Sequence, residues 1–220
     1  MRVASDLAGL VSLGVVAAEP VTAGAACAAL LHEIETLCRG LRERYAGLTA
    51  GAIEDVHPAR ALYRSFGVDP TKVRPSSEAL LRRVLRDEPL PRISGPVDLA
   101  NALALRFLLP IGLYDADRLT GDVEARRGRS GETYAGIRKD DVHLEGRLVL
   151  ADARGPFGNP TSDSLRAAVV PSTRRLLLVV FAPGSRSAER MAEHVREARQ
   201  AIERHLAPAG QRATTTGCVL

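Results

Sequence analysis

The chain has 220 residues, 45% hydrophobic and 25% charged, a balance that suits a globular protein with a sizeable core and excludes a disordered, collagen-like or miniature disulfide-stapled chain. Thirty Lys plus Arg against 26 Asp plus Glu leave a net charge of +4, and the basic excess is nearly all arginine, since Lys72 and Lys139 are the only lysines. This permits an anionic partner without requiring one, and an arginine skew follows from genome base composition as readily as from phosphate recognition.

The opening stretch through Val16 reads as a strand ended by Glu19-Pro20. Within it, the apolar run Leu7 to Ala18 is broken by Gly9, Ser12 and Gly14 and preceded by Asp6, which argues against a secretory signal, and it falls short of the ~20 residues that span a bilayer. Leu30, Ile34, Leu37, Leu41 and Tyr45 recur at three- and four-residue spacing and predict an amphipathic helix. A short helix carrying Ala61, Leu62 and Phe66 is closed by Gly67, and a third starts at Ser76, read as an N-cap with Glu78 in its first turn, and runs to Leu85. A fourth helical pattern runs from Val97 to Phe107.

Beyond Gly121 the period changes. Short runs at Val123 to Ala125, Thr133 to Ile137, Val142 to Leu144, Leu148 to Ala151, Ala167 to Val170 and Leu176 to Ala182 alternate with turn residues and predict a largely antiparallel β assembly, its last run central. Ala188, Met191, Val195, Ala198 and Ile202 mark a closing helix over 187–206. One domain over 1–207 is expected, with 208–220 as a small, polar, frayed tail.

Cys27, Cys38 and Cys218 form no CxxC pair and have no histidine at ligand spacing, so buried thiols in a reducing compartment are expected, with no metal site. Cys218-Val219-Leu220 is one residue short of a prenylation box. The reading is a soluble, cytoplasmic protein with no membrane partner. The chain lacks GxxxxGK[ST], HExxH and GxSxG patterns, its five histidines are scattered, and no cofactor is expected. His32, His194 and His205 fall in patterned helices as surface or satisfied core residues.

One polar cluster stands out, Asp152 to Arg166, dense in hydroxyls, amides and glycines between two β runs. Such a loop can present N–H groups, an aromatic platform and an arginine to a polar ligand, or can be a turn-rich connection whose Asn, Ser and Asp satisfy their own backbone.

The chain resembles the B3/4 domain, the tRNA-editing module of the phenylalanyl-tRNA synthetase beta subunit, in the form found as stand-alone proteins. The resemblance rests on Tyr63 to Lys72, Arg74 to Arg83, Val97 to Asn101, Leu109 to Asp115, and Gly155 to Arg166 followed by Thr173, in an order spanning about residues 45–185. It implies an α+β fold with a mainly antiparallel β-barrel-like core flanked by helices. It also implies a pocket that hydrolyses the ester between tRNA and a wrongly attached amino acid, so that the chain would deacylate mischarged tRNA in trans. The alternative is a non-catalytic module that binds an amino acid-like small molecule, RNA or a protein partner. Because an aminoacyl ester is already activated, positioning a water and stabilising an oxyanion suffice, without a nucleophilic triad or zinc.

Carried onto this chain, the expected catalytic residues are Asn159, Ser162 and Asp163. Tyr114, Asp115, Phe157, Gly158 and Arg166 are expected to bind substrate, Phe157 as a stacking surface and Tyr114 and Asp115 as an opposite wall or a structural hydrogen bond. Asp98 and Asn101 are read as bracing residues, and Ser76 and Glu78 as caps. For tRNA or aminoacyl-tRNA as partner, Arg82 and Arg83 with Arg86 on one helix, and Arg126 and Arg127 with Arg129 beside a turn, are the phosphate candidates. Two positions depart from the family pattern: Gly112 stands where the pattern has histidine, and Val179 where it has an acidic residue.

Overall fold

A computed structural model describes residues 1–137 and 141–220. Strands β1 (Arg2–Val3) and β2 (Val11–Glu19) lead into helices α1 (Ala28–Arg44), α2 (His57–Ser65), α3 (Ser76–Leu85) and α4 (Gly95–Phe107). Strands β3 (Ile111–Asp115), β4 (Glu124–Arg127), β5 (Thr133–Ala135), β6 (Asp141–His143), β7 (Leu148–Asp152), β8 (Gly155–Gly158) and β9 (Leu176–Pro183) follow, then helix α5 (Ala188–His205) and strand β10 (Thr214–Val219).

The strands form an antiparallel sheet of order β10-β2-β9-β3, a second sheet of order β1-β4-β7-β8 and the pair β5-β6. The fold is therefore α+β and mainly antiparallel, β1 and β4 being a parallel exception. The sheets stay separate, so the expected barrel-like core is replaced by two sheets packed face to face, with helices on the outer side of the first.

Side-chain alternation explains this layering. In β9, Leu176, Leu178, Val180 and Ala182 point into a core shared with α1, α4 and α5, while Leu177, Val179 and Phe181 point into a second core shared with the other sheet. A strand buried on both faces loses the polar alternation of a half-exposed one, which is why this run is apolar throughout. A third cluster, including Leu41, Ile53, Leu81 and Leu105, joins the helices to one another. Helix α4 stops at Leu108, which takes a left-handed conformation (φ 52°) and is followed by Leu109-Pro110.

Several expectations are corrected. Ala167 to Val170 is not a strand: Ser164 Oγ accepts the N–H of Arg166 and starts a 3-10 turn over Leu165–Ala167, and the segment's apolar character reflects the burial of Ala167. The tail is ordered over Thr214–Val219, where β10 pairs with β2 along six residues and Thr215 is held by Arg199 and Glu203. Ser76 is the first helical residue of α3 after Pro75 and makes no side-chain cap. Cys27 and Cys218 are exposed and Cys38 half-buried, so the thiols are not core residues. Among the described residues, no helix is long and apolar enough to cross a membrane, and no group of three or more His, Cys, Asp or Glu could hold a metal ion.

Candidate functional site

The polar cluster begins as strand β8 and becomes an irregular turn at Asn159. Asn159 Oδ1 accepts the backbone N–H groups of Thr161 at 2.7 Å and Ser162 at 2.8 Å, the Asx geometry that lets a short amide replace a strand partner. The same side chain is buried, and its Nδ2 has no hydrogen-bond partner among the described residues. Tyrosines from two other elements fix the turn. Tyr63 of α2 donates to the Pro160 carbonyl at 2.9 Å and accepts from Thr161 Oγ1 at 3.0 Å, and Tyr134 of β5 donates to the Ser162 carbonyl. Arg166 closes the loop with a bidentate pair to Asp152, at 3.0 and 2.9 Å, and a bond to the Gly155 carbonyl at 3.1 Å.

Asp163 accepts from the Tyr114 hydroxyl at 2.8 Å. Its residue keeps some surface while its carboxyl is enclosed. Burial raises the carboxyl pKa to about 7, with the Tyr114 hydroxyl and the Leu113 backbone N–H opposing the rise. Tyr114 is wholly buried, and its own pKa is driven well up by burial and by the neighbouring Asp163 charge. Burial likewise pushes Tyr63 up to about 12 and raises Tyr134, so these phenols stay protonated donors near neutrality.

The two departures from the family pattern meet in this layer. Gly112 and Val179 are direct partners in the β3–β9 ladder. A Cβ on Gly112 would lie 2.1 Å from Tyr114 Oη, and one on Gly158 2.2 Å from the same atom. The phenol of Tyr114, two residues on and hence on the same strand face, fills the space that a side chain at position 112 would need. Both glycines are required by that close approach, and Val179 completes an apolar floor around it.

Against the turn lies a narrow cleft of about 280 Å³ lined by Leu62, Tyr63, Phe66, Arg147, Asn159 and Thr161, among others. Its freely accessible room is about that of one water molecule. Arg147 lines it together with Asn159.

Of the residues expected from sequence, Asn159 reaches this cleft. Ser162 and Asp163 are on the same turn but not among its lining residues, and Gly158 lies under Tyr114. Phe157 is a core residue with its ring 4.9 Å from that of Tyr114, edge to face, so it offers no exposed stacking platform. Tyr114 is a buried hydrogen-bond donor rather than an open wall. Asp115 is buried, accepts from Thr173 Oγ1 at 2.6 Å and caps the turn at Asp117, which is the structural alternative. Arg166 is occupied by Asp152. Asp98 accepts the Ile93 N–H at 2.9 Å, a bracing role. Glu78 is no exposed cap: it is buried and takes a bidentate pair from Arg60, both bonds 2.7 Å.

Among the arginines, Arg126 is buried in a bidentate pair with Glu132, at 2.7 and 2.6 Å, and is corrected from a phosphate contact to a structural residue. Arg127 lies over the Phe66 ring and bonds the Gly146 carbonyl, and Arg83 bonds the Pro89 carbonyl. Arg82 has no such partner among the described residues and lines a different, larger pocket. Sequence reading passed over Tyr63, Tyr134 and Arg147. A tyrosine in the apolar stripe Ala59-Leu62-Tyr63-Phe66 signals a buried hydroxyl in need of a partner, whereas Arg147, in a turn after Gly146, carries no comparable mark.

A mixed fold with an Asx-turn cleft beside a buried tyrosine–aspartate pair defines a small α+β module with a polar turn at one sheet edge. The chain matches the model of the B3/4 domain over residues 59–219 and belongs to that family. It is similar to the phenylalanine–tRNA ligase beta subunit of Paramagnetospirillum magneticum, 42% identical over 65 residues, covering 29% of this chain and 8% of that protein. The same subunit of Neisseria meningitidis serogroup B is 32% identical over 89 residues, covering 40% of this chain and 11% of the relative. That of Leifsonia xyli subsp. xyli is 29% identical over 152 residues, covering 54% and 17%. The chain thus spans about a tenth of the length of these curated relatives. A crystal structure of an N-terminal fragment of the phenylalanyl-tRNA synthetase beta subunit from Pyrococcus horikoshii covers 99% of this chain, with 49% of that chain covered, at a TM-score of 0.45 and 13% identity.

Proposed function

We propose that the protein acts on the acylated end of tRNA and hydrolyses the ester of a mischarged aminoacyl-tRNA in trans. The observation that carries this reading is the buried Asn159 Nδ2, a donor without a partner among the described residues, on a side chain that lines the narrow cleft. In the proposed reaction the ester carbonyl oxygen takes that donor, and the Arg147 guanidinium faces the negative charge that develops on it. The Thr161 hydroxyl, whose proton goes to Tyr63, offers its lone pairs to the attacking water. The bond from the water oxygen to the acyl carbon forms, the bond to the ribose oxygen breaks, and one proton passes from water to that oxygen. Asp163 holds Tyr114 and the turn, and acts as a positioning residue together with Ser162. The half-buried Arg82 and Arg83 are assigned to the RNA strand.

A second reading is favoured by one specific feature. Tyr114 fills the space beside Gly112, where the resemblance expects a histidine, which suits a module that binds without turnover. Purified protein tested against tRNAs charged with cognate and non-cognate amino acids separates the two readings. Hydrolysis that falls at least ~100-fold in a folded Asn159→Ala variant, the order seen when one oxyanion donor is removed, supports the enzyme. Binding of the charged ends without hydrolysis supports the module.

A further inference from the structure

We propose that the pocket between α2, α3 and the turn at residues 48–51 is a phosphate-binding site, separate from the Asn159 cleft. Arg74, Glu78, Arg82 and Arg86 follow one another at four-residue spacing along a single face of α3 and its flanks, and Arg60 reaches across from α2. Together they line a cavity of about 320 Å³, roomy enough for a phosphate and part of the molecule that carries it.

The charges do not balance within the protein. Glu78, only 2% exposed at its side chain, is the pocket's carboxylate, and Arg60 takes it in a bidentate grip. Arg74 shares the same Oε1 at 3.4 Å. Arg86 is 3.8 Å from Glu88, which Arg83 also uses, and Arg82 has no hydrogen bond or ion pair among the described residues. Among the lining residues, four guanidinium groups face one carboxylate, with Glu88 outside the lining and shared between Arg83 and Arg86.

The dipole of α3 accounts for cations in its last turn. It does not account for Arg74 and Arg60 at the other end, nor for two like charges, Arg82 and Arg86, set one turn apart where they repel. An anion with several oxygens, bridging forked donors, resolves that arrangement, and phosphate fits the fork geometry of arginine. The buried Arg60–Glu78 pair then acts as the rigid base that orients the pocket, while Arg82, which has no partner among the described residues, and Arg86, held only by its 3.8 Å contact with Glu88, supply the donors. Because Arg60 and Tyr63 are three residues apart on α2, the pocket and the cleft flank the same helix. The inference refines the assignment of Arg82 to RNA but does not require the cleft to hydrolyse anything.

The test is equilibrium binding at low ionic strength of two probes, inorganic pyrophosphate by calorimetry and a short single-stranded RNA by fluorescence anisotropy. The comparison variants are Arg82→Gln/Arg86→Gln and, removing equal charge from exposed positions of α5, Arg190→Gln/Arg196→Gln. The expected result is a loss of affinity of at least about tenfold in the first variant and less than about twofold in the second. Pyrophosphate that displaces the RNA assigns the site to strand phosphates, and pyrophosphate binding without displacement assigns it to a small phosphorylated molecule. Equal losses in both variants, or no binding of either probe by the unmodified protein, overturn the proposal. No acylated substrate enters these measurements, so the outcome is independent of the hydrolysis reading.

Discussion

At residue scale, the chemistry concentrates on Asp163 and the phenol beside it. A carboxyl raised from its ordinary 3.8 to about 7 binds its proton more tightly in the folded chain than in the unfolded one. Its contribution to stability is therefore fully present below about pH 4 and is lost as pH rises through 7, amounting to at most ~4 kcal/mol. Denaturant titrations between pH 4 and 8 should show Asp163→Asn flattening this decline, and an unchanged slope would place the burden on another group. Gly112→Ala sets a Cβ 2.1 Å from the Tyr114 hydroxyl. Overpacking of this kind should cost ~1–3 kcal/mol, read from the urea midpoint. A neutral result would mean that Tyr114 can swing away, leaving room for a histidine at that position.

At the scale of elements, the helices and the central strand were legible because their periodicities are strong: the α1, α4 and α5 patterns coincide with the observed helices to within a few residues, and the apolar run at 176–182 is the doubly buried strand β9. Strand β10 was not legible, since Thr-Thr-Thr-Gly-Cys-Val has little apolar alternation and is fixed by pairing with β2. The short strand β8 was hidden by Gly155, Pro156 and Gly158, residues that usually mark a loop. The turn at Asn159 was visible as composition, yet its partners Tyr63 and Tyr134 come from distant elements, which local spacing cannot reveal. The coupling of α2 to α3 is itself testable. Arg60→Met strands the Glu78 carboxylate in its buried site and should cost ~3–5 kcal/mol, while Arg60→Met/Glu78→Leu should recover much of that loss. Additive losses would show the pair to be independent. Ser187, whose Oγ accepts the Arg190 N–H at the start of α5, gives a smaller reference: Ser187→Ala should lower stability by ~1 kcal/mol.

At the scale of the molecule, one sheet serves two cores, with helices on one side and the sheet that ends in the candidate turn on the other. The candidate turn is thus backed by packed layers, and its Asn159 lines the narrow cleft beside it. The charge is similarly divided: Arg126 and Arg166 are tied to buried or half-buried carboxylates, while Arg82 on α3 has no ion pair among the described residues and Arg86 just beyond the helix is only loosely paired with Glu88. This division assigns the loop to the acyl group and the helix to phosphate in the proposed function. The most direct measurement is single-turnover deacylation of mischarged aminoacyl-tRNA by the intact protein and by Asn159→Ala, with the fold of both checked by circular dichroism. The proposed mechanism predicts ester cleavage above the spontaneous rate for at least one non-cognate amino acid, reduced ~100-fold in the variant; cleavage that is absent, or equal in the two proteins, would contradict it.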